Sequence, residues 1–312
     1  MTVQRAGGIV VPARYFYEMI RKFNSGFIIL EIKDHLILTI TSGHSQIRLC
    51  GMDSAEFPST HHVESRPVFK LRMNNALLQS SIKQVAAAVS TSEARLVLTG
   101  VCFEYCDESL NLMATDGIRL ASRTIPIENK AKTSANVIVP GKNLYEVAKI
   151  LEGEDHTTEI EVGVNQIRFT TNHIQIQSAL IEGVYPSIRN VIPKSHLSEI
   201  VVETACLLNA IERATVLASE SIVRLEATSN RLDLLSRTAE IGDVQDQVPL
   251  MEMNGDNFIV SLNGKFFVDL LRCVESEYVR LRFTGKASPI ILQPLNDLSS
   301  TLFLITPVRT AN

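Results

Sequence analysis

KNLYEVAKIL, residues 142–151, decides how this chain is to be read. Leu144, Val147, Ala148 and Leu151 fall at i, i+3, i+4 and i+7, one face of an α-helix. The outline recurs at RYFYEMIRKF (14–23), with Phe16, Met19, Ile20 and Phe23, and at KFFVDLLRCV (265–274), with Phe267, Leu270, Leu271 and Val274. In each copy a cation stands two residues before the first apolar position (Arg14, Lys142, Lys265) and another stands five after it (Arg21, Lys149, Arg272). Seven residues is about two turns, so both cations share a face, roughly opposite the apolar stripe. An acid follows at the third polar slot: Glu18, Glu146 and Asp269. A solvated helix face accounts for one such pattern. Three copies in one register point to duplication, with three equivalent positions facing the same thing.

Two more amphipathic helices lie between the copies, at 74–89 and 204–219, so one helix arrives about every 60 residues. Strand-like alternation bounded by turn residues follows, for example at 27–32, 35–41 and 46–50, and again at 159–164, 166–171 and 174–180. The unit is β-α-β-β-β, present five times, and the fold class is α+β with antiparallel sheets. Stretches rich in Pro, Ser and His at 57–67 and 186–198 place domain boundaries to give segments 1–66, 67–193 and 194–312. The first segment holds a single unit. Its apolar helix face has no second helix to pack on, so either another chain covers it or the segment is poorly ordered.

At 45% hydrophobic and 21% charged residues, this is a core-forming composition. No apolar run approaches the roughly 18 residues of a membrane span, and the N-terminus lacks a signal-peptide layout. Five scattered cysteines (Cys50, Cys102, Cys106, Cys206, Cys273) read as reduced thiols in a cytoplasmic protein. Neither Cys102 with Cys106 nor His61 with His62 has company at metal spacing, and the Gly141–Lys142 pair lacks the rest of a P-loop. No catalytic motif, metal or cofactor is expected. Charge is segregated. The five helices carry Arg14, Arg21, Lys22, Lys83, Lys142, Lys149, Arg213, Lys265 and Arg272 against five acids, a balance of +4 within a chain of net charge −4. Helices so charged attract duplex DNA through its phosphates without reading sequence.

LMATDGIRLA (112–121), VAAAVSTSEARLVLTG (85–100), VIVPGKNLYEVAKIL (137–151), IEGVYPSIRNVIP (181–193), RFTGKASP (282–289) and TPVR (306–309) together resemble the bacterial DNA polymerase III β subunit, the sliding-clamp family. The resemblance implies a head-to-tail dimeric ring with helices lining the hole and sheets outside. Family members carry six units in three domains, and this chain resembles the last five. Segment 1–66 then corresponds to the second half of the first domain, 67–193 to the middle domain and 194–312 to the C-terminal domain.

By the same resemblance, the nine helix cations face double-stranded DNA. A cleft for short apolar peptides is carried over onto Arg95, Leu98, Thr115, Gly117, Ile118, Arg119, Leu120, Pro186, Val191, Leu304, Pro307, Val308 and Arg309. Ile118 departs from a common His, Asn190 from a frequent Arg and Thr306 from an apolar residue, which implies a weaker or differently selective cleft. The ring contact maps to Ile47 and Leu49 on one side and Val216 and Leu217 on the other. The partners so implied are DNA polymerase III, other proteins with clamp-binding motifs, the clamp loader and a second copy. The expected function is that of a non-catalytic processivity factor. The alternative is a non-ring paralogue that sequesters clamp partners or pairs with a complete clamp.

Overall fold

The computed structural model describes residues 2–23, 26–33, 36–57, 67–106, 108–127, 134–151, 156–172, 174–188, 190–295 and 300–309. Most of the expected linker at 57–67, including His61 and His62, lies outside the described residues. The chain forms two compact units, 1–62 and 63–312.

The first unit contains β1 (Ile9–Val10), α1 (Ala13–Ile20), β2 (Ile29–Lys33), β3 (Ile37–Ser42), β4 (Ser45–Cys50) and β5 (Met52–Asp53). Strands β2, β3 and β4 make a three-stranded antiparallel sheet, and β1 pairs with β5. Leu30 and Ile32 of β2 lie opposite Ile40 and Leu38, and these lie opposite Ile47 and Leu49. Residues directly opposite share a sheet face, so the alternation expected from sequence produces one apolar face.

The second unit holds four repeats in succession. The first is β6 (Phe69–Asn74), α2 (Asn75–Ala86), β7 (Gly100–Cys106), β8 (Ser109–Thr115) and β9 (Arg119–Pro126). Next come β10 (Ala135–Pro140), α3 (Gly141–Ile150), β11 (Thr157–Val162), β12 (Gln166–Thr171) and β13 (Ile174–Ala179). Then follow β14 (Ser198–Glu203), α4 (Thr204–Val216), β15 (Ile222–Thr228), β16 (Arg231–Thr238), β17 (Gly242–Pro249) and an added β18 (Glu252–Gly255). The last is β19 (Phe258–Asn263), α5 (Gly264–Leu271), β20 (Tyr278–Phe283), β21 (Ile290–Pro294) and β22 (Ser300–Ile305). With the first unit, the β-α-β-β-β pattern appears five times.

Helix starts have local causes. The side chains of Asn74 and Asn263 accept hydrogen bonds from the backbone of Leu77 and Phe266, capping α2 and α5. Pro12 and Pro140 stand at the same place before α1 and α3. Helices α2 and α4 end three residues earlier than their apolar periodicity suggested. Beyond Ala86 and Val216 the chain tightens into i→i−3 bonds, Val89 to Ala86 and Ala218 to Thr215.

Consecutive repeats pair by exchanging first strands. Strand β6 adds to β11 and β10 adds to β7; likewise β14 adds to β20 and β19 adds to β15. In all four cases the strand following a helix is covered by the first strand of the mate repeat. The helices pack in the same pairs, α2 with α3 and α4 with α5. Exchange puts the first strand and the post-helix strand of one repeat in different sheets. Stacked rings, Phe69 on Tyr105 and Phe258 on Phe283, both with centroids 4.6 Å apart, tie those sheets together.

Pairing between β9 and β22 then joins the two halves into one nine-stranded sheet, in the order β10-β7-β8-β9-β22-β21-β20-β14-β18. Four-stranded sheets β13-β12-β11-β6 and β17-β16-β15-β19 complete the unit. A single apolar core running from Phe69 to Ile305 spans both halves. Among the described residues no helix is long and apolar enough to cross a membrane.

Candidate functional site

Where β9 meets β22, Leu120 lies opposite Leu304, while Ala121 and Arg119 lie opposite Phe303 and Ile305. Side chains alternate across a strand, so these two sets point to opposite faces of the nine-stranded sheet. Ala121, Phe303 and Ile305 join the main core under the helices. Leu120 and Leu304 instead join a separate cluster with Leu98, Cys102, Ile138, Tyr185, Ile188 and Ile291.

The cluster is built in rows across the sheet. Ile138, Cys102 and Met113 succeed one another across β10, β7 and β8. Thr115, Leu120, Leu304 and Ile291 do so across β8, β9, β22 and β21, and Arg282 continues that row into β20. Buried side chains form the floor, and half-buried Val97, Met113, Ile181, Ile192 and Leu302 lie over it. Exposed Leu96, Val184 and Val191 flank these in sequence. At the far end Glu199 receives Arg282 at 2.7 Å and Arg280 at 3.1 Å, so the strip is apolar in the middle and charged at one edge. That chemistry suits apolar side chains of a short peptide carrying one polar or charged group.

Two polar groups are sealed into the floor. The Tyr185 hydroxyl accepts a hydrogen bond from the Thr115 backbone N–H at 3.0 Å, and burial pushes its phenol above the ordinary value. The Cys102 thiol donates to Asn136 at 3.0 Å, and burial pushes it up to about 12, so it packs as a neutral group and not as a nucleophile. Tyr185, Ile188, Cys102, Ile138 and Ile291 were not anticipated from the sequence. The alternation that sends Leu120 and Leu304 to this face holds for Cys102 and Ile138 too, but only the strand pairing reveals that they adjoin.

The expected cleft residues divide. Leu98, Leu120 and Leu304 form the floor, and Thr115 is held to it through Tyr185. Arg95, Gly117, Pro186 and Val191 are exposed. In the C-terminal tail, Thr306 donates to the Ile118 carbonyl at 2.9 Å and Val308 donates to the Ser261 carbonyl at 2.8 Å; Pro307 is half-buried and Arg309 exposed.

Arg119 is not brought together with the floor. It is on the helix side, where its Nε meets Asp116 at 3.0 Å, its Nη1 meets Asp269 of α5 at 2.7 Å, and its guanidinium lies 4.5 Å from the Phe266 ring centroid. Local chain geometry aims it there. The Asp116 carboxylate accepts from the backbone N–H groups of Ile118 and Arg119, and Gly117 takes a φ of +92°, which folds the turn back on itself. Ile118 and Arg119 both border a depression of about 870 Å³ that also touches Lys265, Phe266 and Arg272.

The helix cations are all exposed. One stands in the last turn or at the C-cap of every helix: Arg21, Lys83, Lys149, Arg213 and Arg272. There it also complements the negative end of the helix dipole. Lys149 pairs with Glu146 at 2.7 Å, Arg213 with Asp246 at 2.6 Å and Arg272 with Glu212 at 2.8 Å. Among the described residues, Arg14, Lys22, Lys83, Lys142 and Lys265 have no ion-pair partner. Helices α2 and α5 cover the same face at the β9–β22 joint. Gln84 and Ser80 of α2 accept from Arg123 of β9, while Asp269 of α5 takes Arg119.

The expected ring-contact residues occupy sheet margins. Ile47 and Leu49 are half-buried on β4, an edge strand of the three-stranded sheet. Val216 is 80% exposed at the end of α4, and Leu217 caps that helix. Helix α4 packs on β17, the edge of its own sheet.

Exchanged β-α-β-β-β repeats, cationic helices on one face of a shared sheet and an apolar strip on the other are the architecture of a DNA clamp. The chain matches the family domains described as DNA polymerase III beta subunit N-terminal domain over 1–61, central domain over 72–187 and C-terminal domain over 189–309. It is 37% identical to the beta sliding clamp of Halalkalibacterium halodurans, over 99% of this chain and 82% of that protein. The beta sliding clamp of Bacillus subtilis is 32% identical over the same shares. The crystal structure of the Bacillus subtilis DNA polymerase sliding clamp superposes with a TM-score of 0.93, covering 99% of this chain and 82% of that one. The beta subunit of Streptococcus pyogenes superposes with a TM-score of 0.92 at 29% identity, covering 99% and 84%. The chain belongs to the DNA polymerase III beta subunit family, the sliding clamps, which are non-catalytic accessory subunits.

Proposed function

We propose that this protein is a sliding-clamp processivity factor that surrounds or cradles duplex DNA and tethers DNA polymerase III and other clamp-binding proteins. The observation that carries this reading is the two-faced nine-stranded sheet, with exposed helix cations on one side and the Leu120–Leu304 strip on the other. The DNA-side set is Arg14, Arg21, Lys22, Lys83, Lys142, Lys149, Arg213, Lys265 and Arg272. Weak, salt-sensitive attraction of such side chains to phosphates holds a duplex without fixing a register, which sliding requires. The peptide strip is centred on Leu98, Leu120, Tyr185, Ile291 and Leu304, with Arg119 holding the joint beneath it.

The domain limits of this reading are 1–66, 67–193 and 194–312. The strand exchanges fall within the second and third of these, which supports the boundary between them. The first is one half of a clamp domain, matching the second half. It offers one helix and one three-stranded sheet, and Pro12 before α1 mirrors Pro140 before α3. A clamp loader, a head-to-tail second copy joined through Ile47 and Leu49 against Val216 and Leu217, and a cytoplasmic location complete the proposal.

The test is retention on DNA topology. The loaded protein stays on closed circular DNA and leaves once the circle is cut. Equal retention on circular and linear DNA would show that it does not enclose the duplex.

A further inference from the structure

The row of residues that crosses the joint at Leu120, Leu304 and Ile291 does not stop at the apolar floor. Its next members are Arg282 on β20, Glu199 on β14 and Asn254 on β18. Arg280, two residues from Arg282 on the same strand, shares that face and lies opposite Gln293. A covering segment ends at the same place. Ile192 packs on the strip, and four residues on His196 has its Nε2 3.7 Å from Glu199. Residues 192–196 therefore run from the apolar middle of the strip to its charged edge, and exposed Lys194 lies between them.

Charge at this edge is out of balance. Both guanidiniums share one carboxylate, with Arg280 Nε 3.1 Å from Glu199 Oε1 and Arg282 Nε 2.7 Å from Oε2. Arg282 Nη1 also donates to the Gln293 side chain at 2.6 Å. Among the described residues, neither terminal nitrogen of Arg280 meets an acceptor, nor does Nη2 of Arg282. Lys194 has no ion-pair partner among the described residues either. Three cations thus stand against the single carboxylate of Glu199. The next acid on this face, Glu252, is two strands from Arg280, beyond Val201, at about 10 Å, and it accepts from Asn254. The Arg280 and Arg282 side chains are 32% and 28% exposed, so their free nitrogens are within reach of a partner.

We infer that the strip ends in a carboxylate-reading subsite, in which Arg280 and Arg282 select partner peptides that carry an acidic side chain beside their apolar anchor. The inference rests on the peptide-binding role proposed for the strip and adds which peptides it prefers. A guanidinium with both terminal nitrogens free presents the fork that a carboxylate fits. Leu304 and Arg282 are two strands apart, about 10 Å. Three residues of extended or polyproline-like chain, at about 3.1–3.4 Å each, span that distance. The acid therefore falls about three positions from the apolar residue seated on Leu120 and Leu304. Partly exposed pairs of this kind belong to an interface rim, where charge chooses among partners and the apolar floor supplies most of the affinity.

The experiment uses four fluorescent peptides with acetylated and amidated ends. All share one apolar segment, and each carries Glu or Gln three residues before or three residues after the anchoring residue. Their affinities for the full-length protein are read by anisotropy. In one placement the Glu peptide is expected to bind about fivefold tighter than its Gln counterpart. That ratio is expected to fall below about 1.5-fold when Arg280→Gln and Arg282→Gln are combined, since the pair is then lost. In an Arg282→Glu protein the order is expected to invert, a Lys peptide of the same spacing outbinding the Glu peptide, which loss of a merely structural arginine would not produce. Equal binding of Glu and Gln peptides in both placements overturns the inference, as does a Glu preference that survives removal of both arginines; either result leaves the strip as a peptide site. Failure of all four peptides to bind removes the strip from peptide recognition and the inference with it.

Discussion

Replacing Arg119 by Met deletes the charge and keeps most of the stem, which isolates what the guanidinium does at the β9–β22 joint. Its pair with Asp116 is well shielded, with side chains 9% and 13% exposed. Stripping one member of a buried pair costs about 3–5 kcal/mol. Asp116 keeps two backbone N–H donors, which brings the figure down to about 2 kcal/mol. Asp269 is nearly half exposed, so breaking that ion pair adds about 0.5–1 kcal/mol. The Phe266 face adds about 0.5–1 kcal/mol. The total, about 3–4 kcal/mol, corresponds to a fall in Tm of roughly 6–16 °C for a unit of this size. Thermal melting and binding of a fluorescent apolar clamp-binding peptide are measured side by side. Melting is expected to drop by about 10 °C while peptide affinity stays within about twofold. A melting point within about 1 °C of the parent would refute the strut role, and a tenfold loss of peptide binding would put Arg119 in the cleft after all. In a double-mutant cycle, Asp269→Asn is expected to couple to Arg119→Met by about 1 kcal/mol or less.

Other expectations are more quickly stated. Leu98→Arg forces a charge into the cleft floor and is expected to abolish peptide binding while DNA retention persists; unchanged peptide binding would remove the floor from the recognition surface. Changing Lys83, Lys142 and Lys265 together to Glu is expected to flatten the salt dependence of DNA binding by about 0.9 log units for each phosphate no longer neutralised, and an unaltered slope would place those cations away from DNA. Burial raises the Cys102 thiol from 9.0 to about 12, so the native state keeps a proton that the unfolded chain releases. The associated stability is full below pH 9 and drains away as pH rises towards 12. The drop in urea midpoint between pH 8 and pH 10.5 should accordingly be smaller in Cys102→Ala, and an identical drop would count against the assignment. Phe303→Ala empties a fully buried site in the core and is expected to cost about 3–5 kcal/mol in urea unfolding.

Sequence periodicity located all five helices to within three residues at their starts and ends. The apolar faces at Phe16, Leu144 and Phe267 repeat at helical spacing, and that spacing is a local property. Antiparallel hairpins such as β11–β12 were legible for the same reason, each being bounded by its own turn. Strand exchange was not. Nothing in the composition of β6 says that it will leave its own repeat and add to β11, since both neighbours would accept it. The cleft shows the same divide. The resemblance pointed to Leu120 and Leu304, which share one sheet face, but Cys102, Tyr185 and Ile188 come to that face only through long-range pairing. Arg119 was misplaced because adjacency in sequence to Leu120 says nothing about side. In a strand, neighbours point apart.

The β9–β22 seam has a consequence for how such a protein can change over generations. Odd and even positions of these two strands answer to different masters, one set to the cationic helices and the other to the apolar strip. If the strip recruits partners as proposed, substitutions at 120, 302 and 304 retune that recruitment while leaving the opposite side alone. A single inserted or deleted residue in either strand would turn both sides inside out at once. Divergence here is therefore confined to point changes on alternate residues, and the two duties can drift independently only while the strand lengths stay frozen.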